Sequence, residues 1–385
     1  MIKTMIAYTA EMDDEKTAIE DLSSQINLEG WIMKNTIGII TCHYEFIHSG
    51  VLKAVCAAFP FNVVGTISSM QSTVAETGSL LMTLTVMTSD DVEFDMVITP
   101  SLLTEPGKVI SESYKSIRRP ERPGLILAFA PFLVQNCGDD YINVITELSG
   151  GVPCFGTIAV DDTLTFENCF MVANGEYYHD QMALVLIYGD IKPKFFIANI
   201  SESRILDKKA VVTKSEGHVL IEVNERPFID YLDDLGLVKT SEIQYAMSSL
   251  PFLLDYNDGT PKVSKVFVML TPEKHAICAG AMPEGSTLYM AMTDKDDVVL
   301  TTGETASKIA EETSGASLLL AYSCISRSMA MGSDIYREME ILKEKIGGRL
   351  PFMMASSGGE ICPTQILDGK ATNRFHNNAF IACAL

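Results

Sequence analysis

Residues 350–363 read LPFMMASSGGEICP, and two earlier stretches follow the same order of residue types. Residues 59–71 read FPFNVVGTISSMQ, and residues 152–162 read VPCFGTIAVDD. Each stretch has a proline and an aromatic residue at its start, then a short apolar run, then small or hydroxylated residues. Each also follows an apolar segment and a helical segment. A unit that recurs in this way predicts an internally repeated architecture, with the third stretch as its functional centre.

The small residues that end each stretch have two interpretations. Glycine adopts the φ > 0 angles that a sharp bend needs and lets backbone N–H groups approach a ligand closely. Alternatively, Gly-Thr and Ser-Gly-Gly only end strands, because isolated glycine turns are common.

Hydrophobic periodicity predicts strands and helices in alternation. The apolar runs at 37–42 and 124–131 are typical of buried strands. Apolar residues spaced by three and four at 335–346 predict a helix, with Ser333 as its N-cap and Gly347 at its end. The recurring order is strand, helix, strand, strand. It predicts an α+β fold of mixed β-sheets with helices packed on the outer faces.

One hairpin has a clear signal. The dipeptide Asn174-Gly175 is typical of a tight β-turn, and we expect it to join strands at 166–173 and 182–188. The length of 385 residues predicts two domains or one duplicated domain.

Composition narrows the class of protein. The chain has 50 acidic and 29 basic residues, a formal charge of −21, which repels phosphate backbones and disfavours nucleic acid as a partner. The nine cysteines form no CxxC pair, and scattered thiols favour a reducing compartment. The acidic residues at 11–15 do not fit a signal peptide, and no apolar run reaches about 20 residues. We therefore expect a cytoplasmic protein without membrane insertion.

Seven short segments, in this order and spacing, resemble the FIST family: VVGTISS at 63–69, FGTIAVDD at 155–162, HVLIEVNERPFIDYL at 218–232, MPEG at 282–285, YSCISR at 322–327, SSGGEI at 356–361 and RFHNNA at 374–379. The resemblance covers nearly the full length. It implies a FIST N-like part at 1–200 and a FIST C-like part at 201–385. It also implies an intracellular signal-transduction sensor that binds small ligands, with amino acids the proposed class, and no established catalysis.

No kinase, cyclase or methyl-accepting segment is recognisable in the chain, so we expect a separate signalling protein to receive the output. The chain also departs from the family pattern. Met354 stands where the first glycine of the final motif is expected, and Gly358 stands where its second aromatic residue is expected. Met70 and Gln71 replace a Gly-Glu pair. These changes concern the identity of the ligand more than the fold.

The third stretch and the segment before it supply candidate ligand contacts. Arg327 follows an apolar strand, and its guanidinium can clamp a ligand carboxylate through two parallel hydrogen bonds. Glu360 can take the ammonium group of an amino acid, while Ser356 and Ser357 and their backbone donors face an anion. The alternatives are a salt bridge for Arg327 and a solvent-exposed strand end for Glu360.

Three further residues complete the set of candidates. His376 and Asn377 form a polar pair before the last strand, where they contact a ligand or tie down the strand by hydrogen bonds. Cys324 with His376 is the sharpest enzyme hypothesis, a hydrolase or transferase with an activated thiolate. The alternative for Cys324 is a buried structural thiol. A protein-interaction scaffold is the third possibility. The hypothesis we favour is a ligand-binding sensor that has no catalytic residue, no metal site and no cofactor.

Overall fold

The computed structural model describes residues 1–28, 30–163, 165–236 and 251–385. Within these ranges the strands form four sheets, which we call sheets I to IV, and helices pack on them. All strands and helices are numbered in chain order.

The sheets are given with their strands in spatial order. Sheet I contains β1 (Lys3–Thr9), β6 (Met82–Ser89), β2 (Asn35–Cys42), β3 (Asn62–Ile67), β10 (Met171–Ala173) and β11 (Glu176–Tyr178). Sheet II contains β25 (Lys370–His376), β24 (Gly359–Leu367), β9 (Cys154–Ile158), β8 (Leu125–Ala130), β12 (Ala183–Tyr188) and β7 (Glu93–Ile98). Sheet III contains β13 (Lys194–Ala198), β26 (Phe380–Ala384), β22 (Leu319–Cys324), β23 (Phe352–Ser357), β4 (Gln71–Thr73) and β5 (Thr77–Gly78). Sheet IV contains β18 (Val263–Lys265), β17 (Phe252–Asp255), β21 (Thr287–Ala291), β14 (Ile205–Glu216), β15 (Val219–Val223), β20 (Ala276–Cys278) and β19 (Phe267–Leu270), with β16 (Arg226–Pro227) beside β15.

The helices connect and cover these strands. They are α1 (Glu15–Gln25), α2 (Glu45–His48), α3 (Val51–Ala58), α4 (Pro106–Ile117), α5 (Gly138–Ser149), α6 (Phe228–Asp234), α7 (Lys295–Glu312), α8 (Ile325–Met331) and α9 (Arg337–Ile346), with a 3₁₀ turn at Glu202–Arg204. Side-chain caps fix two of the starts. Asp14 accepts hydrogen bonds from the N–H groups of Lys16 and Thr17 before α1, and Asp294 accepts one before α7.

Sheets I, II and III share one arrangement of three strands. In sheet I, β2 pairs in parallel with β3 and antiparallel with β6. The strand β8 pairs in the same way with β9 and β12, and β22 pairs in the same way with β23 and β26. A parallel pair needs a crossover connection. Helix α3 lies in the crossover of sheet I, α5 in that of sheet II, and α8 and α9 in that of sheet III.

The three sheets are joined by exchanged segments. After β3 the chain crosses to sheet III, where β4 pairs with β23. After β9 it crosses to sheet I, where β10 pairs with β3. After β23 it crosses to sheet II, where β24 pairs with β9. Sheet I therefore supplies a segment to sheet III, sheet III supplies one to sheet II, and sheet II supplies one to sheet I. The three exchanges form a closed cycle.

The cores follow from the alternation of side chains along each strand. In β22, Leu320 and Tyr322 belong to a central apolar cluster shared by sheets I, II and III. Their neighbours Leu319 and Ala321 face the other way and pack with residues of α7 and α9. Separate outer clusters join sheet I to α1 and α3, and sheet II to α4 and α5. The predicted α+β fold with helices on the outer faces is confirmed.

Two glycines allow the parallel strands to pair closely. A Cβ atom at Gly65 would lie 1.7 Å from the carbonyl oxygen of Ile40, and one at Gly156 would lie 1.9 Å from that of Ala128. Both distances are far shorter than any real contact, and both oxygens belong to backbone that cannot swing away. The glycines of the VVGTISS and FGTIAVDD segments are therefore required by the sheet.

Two local predictions are wrong and one is confirmed. The Asn174-Gly175 turn joins β10 to β11, not to the strand at 182–188, which lies in sheet II. Ser333 does not cap α9, because that helix begins at Arg337 after Tyr336. Gly347 does end α9, with a φ of 58° in the left-handed region.

We expect Gly156→Ala to lower the free energy of unfolding by about 3 kcal/mol or more, the upper end of the cost of overpacking, because the new methyl group must separate β8 from β9. Urea unfolding measures this change. The matched control is Gly303→Ala in α7, where a Cβ has open space. Helix propensity predicts a gain of up to about 1 kcal/mol for the control. Equal responses of the two variants would contradict the steric argument.

Candidate functional site

Polar side chains collect where the parallel strands of sheets II and III end. Ser357 lies opposite Cys324 across the parallel pair. Glu360 lies opposite Thr157 on one side and opposite His376 on the other. Residues directly opposite in a sheet present their side chains to the same face, and the Thr157 hydroxyl lies 2.7 Å from that of Ser357. We call the following residues the inner group: Cys324, Ser357, Glu360, His376 and Asn377.

The same strand ends are apolar in the other two sheets. The last pair of β2 and β3 is Cys42 with Ile67, and the last pair of β8 and β9 is Ala130 with Ile158. The polar character therefore belongs to the third of three similar strand ends. This is the end formed by the stretch at 350–363.

Glu360 is fully buried, and neither carboxyl oxygen has a hydrogen-bond partner among the described residues. Burial raises the pKa of Glu360 well above its usual range. The nearby Ser357 hydroxyl and Ala379 N–H, and then the charge of Arg327, lower the pKa and offset only part of this effect. The carboxyl group is therefore held as a neutral acid.

His376 and Asn377 are also fully buried. His376 Nε2 lies 3.1 Å from the carbonyl oxygen of Cys362, which makes Nε2 the donor and leaves Nδ1 as an acceptor without a partner in the described residues. Burial lowers the pKa of His376 to about 3, so the ring is neutral. The backbone N–H of Asn377 donates to Ser264, but both polar atoms of its amide side chain have no partner among the described residues.

Cys324 is a protonated thiol in this setting. Burial, and then the nearby Glu360, raise the pKa of Cys324 to about 12. The Ser326 hydroxyl lies 3.2 Å from its sulfur. No hydrogen bond joins His376 to Cys324 among the described residues, since Nε2 donates to Cys362 and Nδ1 has no partner.

Arg327 lies in α8 and makes the internal salt bridge that was its alternative role. Its Nε lies 2.8 Å from Glu338 Oε1, and its Nη2 lies 2.9 Å from the Thr302 hydroxyl. The side chains of Arg327 and Glu338 are 0% and 4% exposed. Two of the three guanidinium nitrogens therefore bind neighbouring side chains, and Nη1 has no partner among the described residues.

Ser356 faces away from the inner group. It alternates with Phe352 and Met354, which pack in the outer cluster with α7 and α9. Its backbone N–H donates to Met70, and its hydroxyl has no partner among the described residues. The predicted set of site residues therefore divides into the inner group on one face of sheet III and Arg327 with Ser356 towards the other.

Several residues around the inner group are not among the site residues predicted from the sequence. Lys265 is fully buried, and its Nζ lies 2.8 Å from both Asp139 Oδ2 and the carbonyl oxygen of Phe375. A lysine inside the apolar run 263–268 signals such a buried pair. Asn378 has a φ of 49° and bonds Ser326 and Thr293 through its side chain. This asparagine follows directly on the predicted pair His376 and Asn377.

A cavity of about 30 Å³ is lined by Ile158 and Phe375 on the face of sheet II opposite to Glu360, and no residue of the inner group lines it. Gly358 and Phe375 line it from sheets II and III, and His218 and Ile277 line it from sheet IV. This volume accommodates about two water molecules. No cluster of three or more histidine, cysteine, aspartate or glutamate side chains in the described ranges fits a metal ion.

The fold and the inner group define an α+β protein with a buried, uncharged polar site between its sheets. The model of the FIST N domain matches residues 36–226, and the model of the FIST C domain matches residues 230–363. The chain belongs to the FIST family, whose domains are sensor modules of signal transduction.

Other comparisons add little. No curated protein sequence is significantly similar to this chain. Among solved structures, that of PurLQS from Thermotoga maritima aligns with 100% of this chain and 72% of its own, at 9% identity and a TM-score of 0.19, a likeness too low to support any argument. In the residues that the structure describes, no helix combines the length and apolar character of a membrane span.

We expect Arg327→Ala to destabilise the protein by about 3–5 kcal/mol, because Glu338 would keep a buried charge without its partner. Urea unfolding gives the change in free energy. The control is Arg226→Ala, which removes an exposed pair with Asp234 and should change stability little. A small effect of Arg327→Ala would mean that Glu338 is not held as a buried anion.

We expect Cys324 to alkylate slowly in the native protein at pH 7. A thiol pKa of about 12 leaves on the order of 10³-fold less thiolate than in a free cysteine, and burial also blocks the reagent. Iodoacetamide labelling followed by mass spectrometry measures the rate, with the protein in urea as the control. A rapid reaction of Cys324 under native conditions would favour the hydrolase or transferase reading.

Proposed function

We propose that this chain is a cytoplasmic sensor that binds amino acids or similar small metabolites at the inner group and acts in signal transduction without catalysis. One observation carries the proposal. Glu360 and His376 lie opposite each other across β24 and β25, Asn377 directly follows His376, and these three side chains have five buried polar atoms without partners in the described residues. The proposal also agrees with the sensory role of the family.

The polar atoms without partners lower the stability of the unliganded protein. A buried polar group without a hydrogen bond costs about 1–3 kcal/mol, and native structures contain few such groups. Five such atoms in adjacent side chains are stabilised together when a polar molecule enters. Glu360 and the Asn377 amide oxygen accept hydrogen bonds, and the Asn377 amide nitrogen donates one. A small molecule with an amine and a carbonyl group matches these needs.

The roles of the other candidates follow from their positions. Ser357 closes the inner group on the side of β9 through its bond with Thr157. Cys324 lines the group as a neutral thiol. Arg327 lies towards the other face of sheet III and shares its charge with Glu338, so it does not contact a ligand at the inner group. Ser356 has its free hydroxyl on the same side as Arg327.

Two features favour a sensor over the enzyme alternative. The raised pKa of Cys324 and the lowered pKa of His376 keep both side chains neutral at pH 7, which is unfavourable for a thiolate–imidazolium pair. The inner group also touches sheet IV through Ser264, so that occupancy can shift the position of sheet IV. In this proposal a separate signalling protein reads that shift. We further propose that sheets I, II and III are internal repeats, which their shared strand pairing supports.

We expect a saturable thermal shift when purified protein is heated with its amino-acid ligand. A ligand at about 100 times its Kd adds roughly 2.7 kcal/mol of stability. Glu360→Gln should abolish the shift, because an amide cannot lose a proton to pair with the amino group of the ligand. Glu311→Gln is the matched control, since Glu311 is exposed on α7, and it should leave the shift unchanged. A flat screen across amino acids and related metabolites, with folded and ligand-free protein, would contradict the sensor proposal and favour the scaffold.

A further inference from the structure

The charges around the inner group are arranged in neutral pairs. Arg327 faces Glu338, and Lys265 faces Asp139, in both cases with nearly complete burial. Arg374, which precedes Phe375 in β25, faces Asp258. Each of these cations therefore already has an anion, and its charge is not available in full to a ligand.

Glu360 differs from these carboxylates because no cation pairs with it in the described residues. The groups that face it are neutral: Thr157 and His376 across the strands of sheet II, and Cys324 and Ser357 at the end of sheet III. Within the inner group, the carboxyl group of Glu360 is therefore the group that can lose a proton and pair with a cationic ligand.

We propose that the group recognised at this site is a primary ammonium ion, which takes the place of the Glu360 proton, so that simple amines bind at least as well as the corresponding amino acids. This inference rests on the proposed ligand-binding role and names the ligand class. The ion pair provides the Glu360 carboxylate with a partner. The amide oxygen of Asn377 accepts a second hydrogen bond from the ammonium group.

The proton balance explains why an amine suits the site. The amine arrives from water as R–NH₃⁺, the Glu360 carboxyl group loses its proton to the buffer, and R–NH₃⁺ pairs with the carboxylate. The net charge of the interior is the same before and after binding, which avoids the cost of an unpaired buried ion. The α-carboxylate of an amino acid would add a negative charge. The cations around the site, Arg327, Lys265 and Arg374, are already paired with Glu338, Asp139 and Asp258.

The pH dependence has a definite sign. Because the pKa of Glu360 is raised in the folded state, its contribution to the stability of the unliganded protein is present at low pH and is lost as pH rises through the folded-state pKa. The ammonium ion offsets that loss, so its affinity increases as pH rises. His376 and Cys324 stay neutral from pH 5 to 8, with pKa values near 3 and 12. The slope then comes from Glu360.

Calorimetry on the full chain tests the inference with matched pairs of probes: ethylamine and alanine, 3-methylbutylamine and leucine, 1,5-diaminopentane and lysine. Titrations in phosphate and in Bis-Tris, whose ionisation enthalpies differ and neither of which is a primary amine, count the protons released. We expect the amine of at least one pair to bind with equal or higher affinity than its amino acid. We also expect protons to be released on binding, and binding to become tighter as the pH rises towards the folded-state pKa of Glu360. Glu360→Gln should lose both binding and proton release, and Glu311→Gln should keep both.

The outcomes separate this inference from the proposed function. An amino acid that binds more tightly than its amine, or binding without proton release, overturns the ammonium-exchange inference and leaves the sensor in place. Failure of all six probes to bind overturns both. The proton count uses the unaltered protein, so the result stands even if Glu360→Gln does not fold.

Discussion

The close parallel pairing of β2 with β3, β8 with β9, and β22 with β23 is the constraint on which the rest of the structure depends. Each pair buries one face in the shared central cluster and the other under helices. Each pair also offers its second strand to a segment from a different sheet. Gly65 and Gly156 are needed because the strands approach within the space of a single methyl group. A local change at these pairs therefore affects two sheets at once.

Burial on both faces also determines what a polar site costs here. In sheets I and II the inner strand ends are apolar, which is the expected solution. Where sheet III meets β24 and β25 of sheet II, Glu360, His376 and Asn377 have buried polar atoms without partners in the described residues. Two buried cations are paired, Lys265 with Asp139 and Arg327 with Glu338. The inner group is thus the place where the fold gives up stability, which is common for binding sites.

Much of the fold follows from local patterns in the sequence. Apolar runs and helical spacing predict the elements and their order, and the Asn174-Gly175 turn is identified by its chemistry. The strand predicted to follow that turn is wrong because β11 has three residues, too few for an alternation of apolar and polar side chains to be recognised. The segment exchange is not visible locally. It depends on pairings between residues far apart, such as Thr157 with Ser357, which are 200 positions apart.

The site shows the same division between local and distant information. Glu360 and His376 stand out by composition, but their cross-strand pairing depends on the register of β24 and β25. Arg327 stands out as well. Its salt bridge depends on where α9 places Glu338, which spacing in the sequence does not reveal.

The cyclic exchange of segments has a consequence for how the chain reaches its final state. Sheet I can close once residue 178 is available, since β11 is its last strand along the chain. Sheets II and III need β24 and β26, near the C-terminus, so strands made early must wait for partners made late. Such non-local closure slows folding. The inner group is consequently among the last parts of these sheets to form during synthesis, because β24 and β25 follow β9 and β23 in the chain.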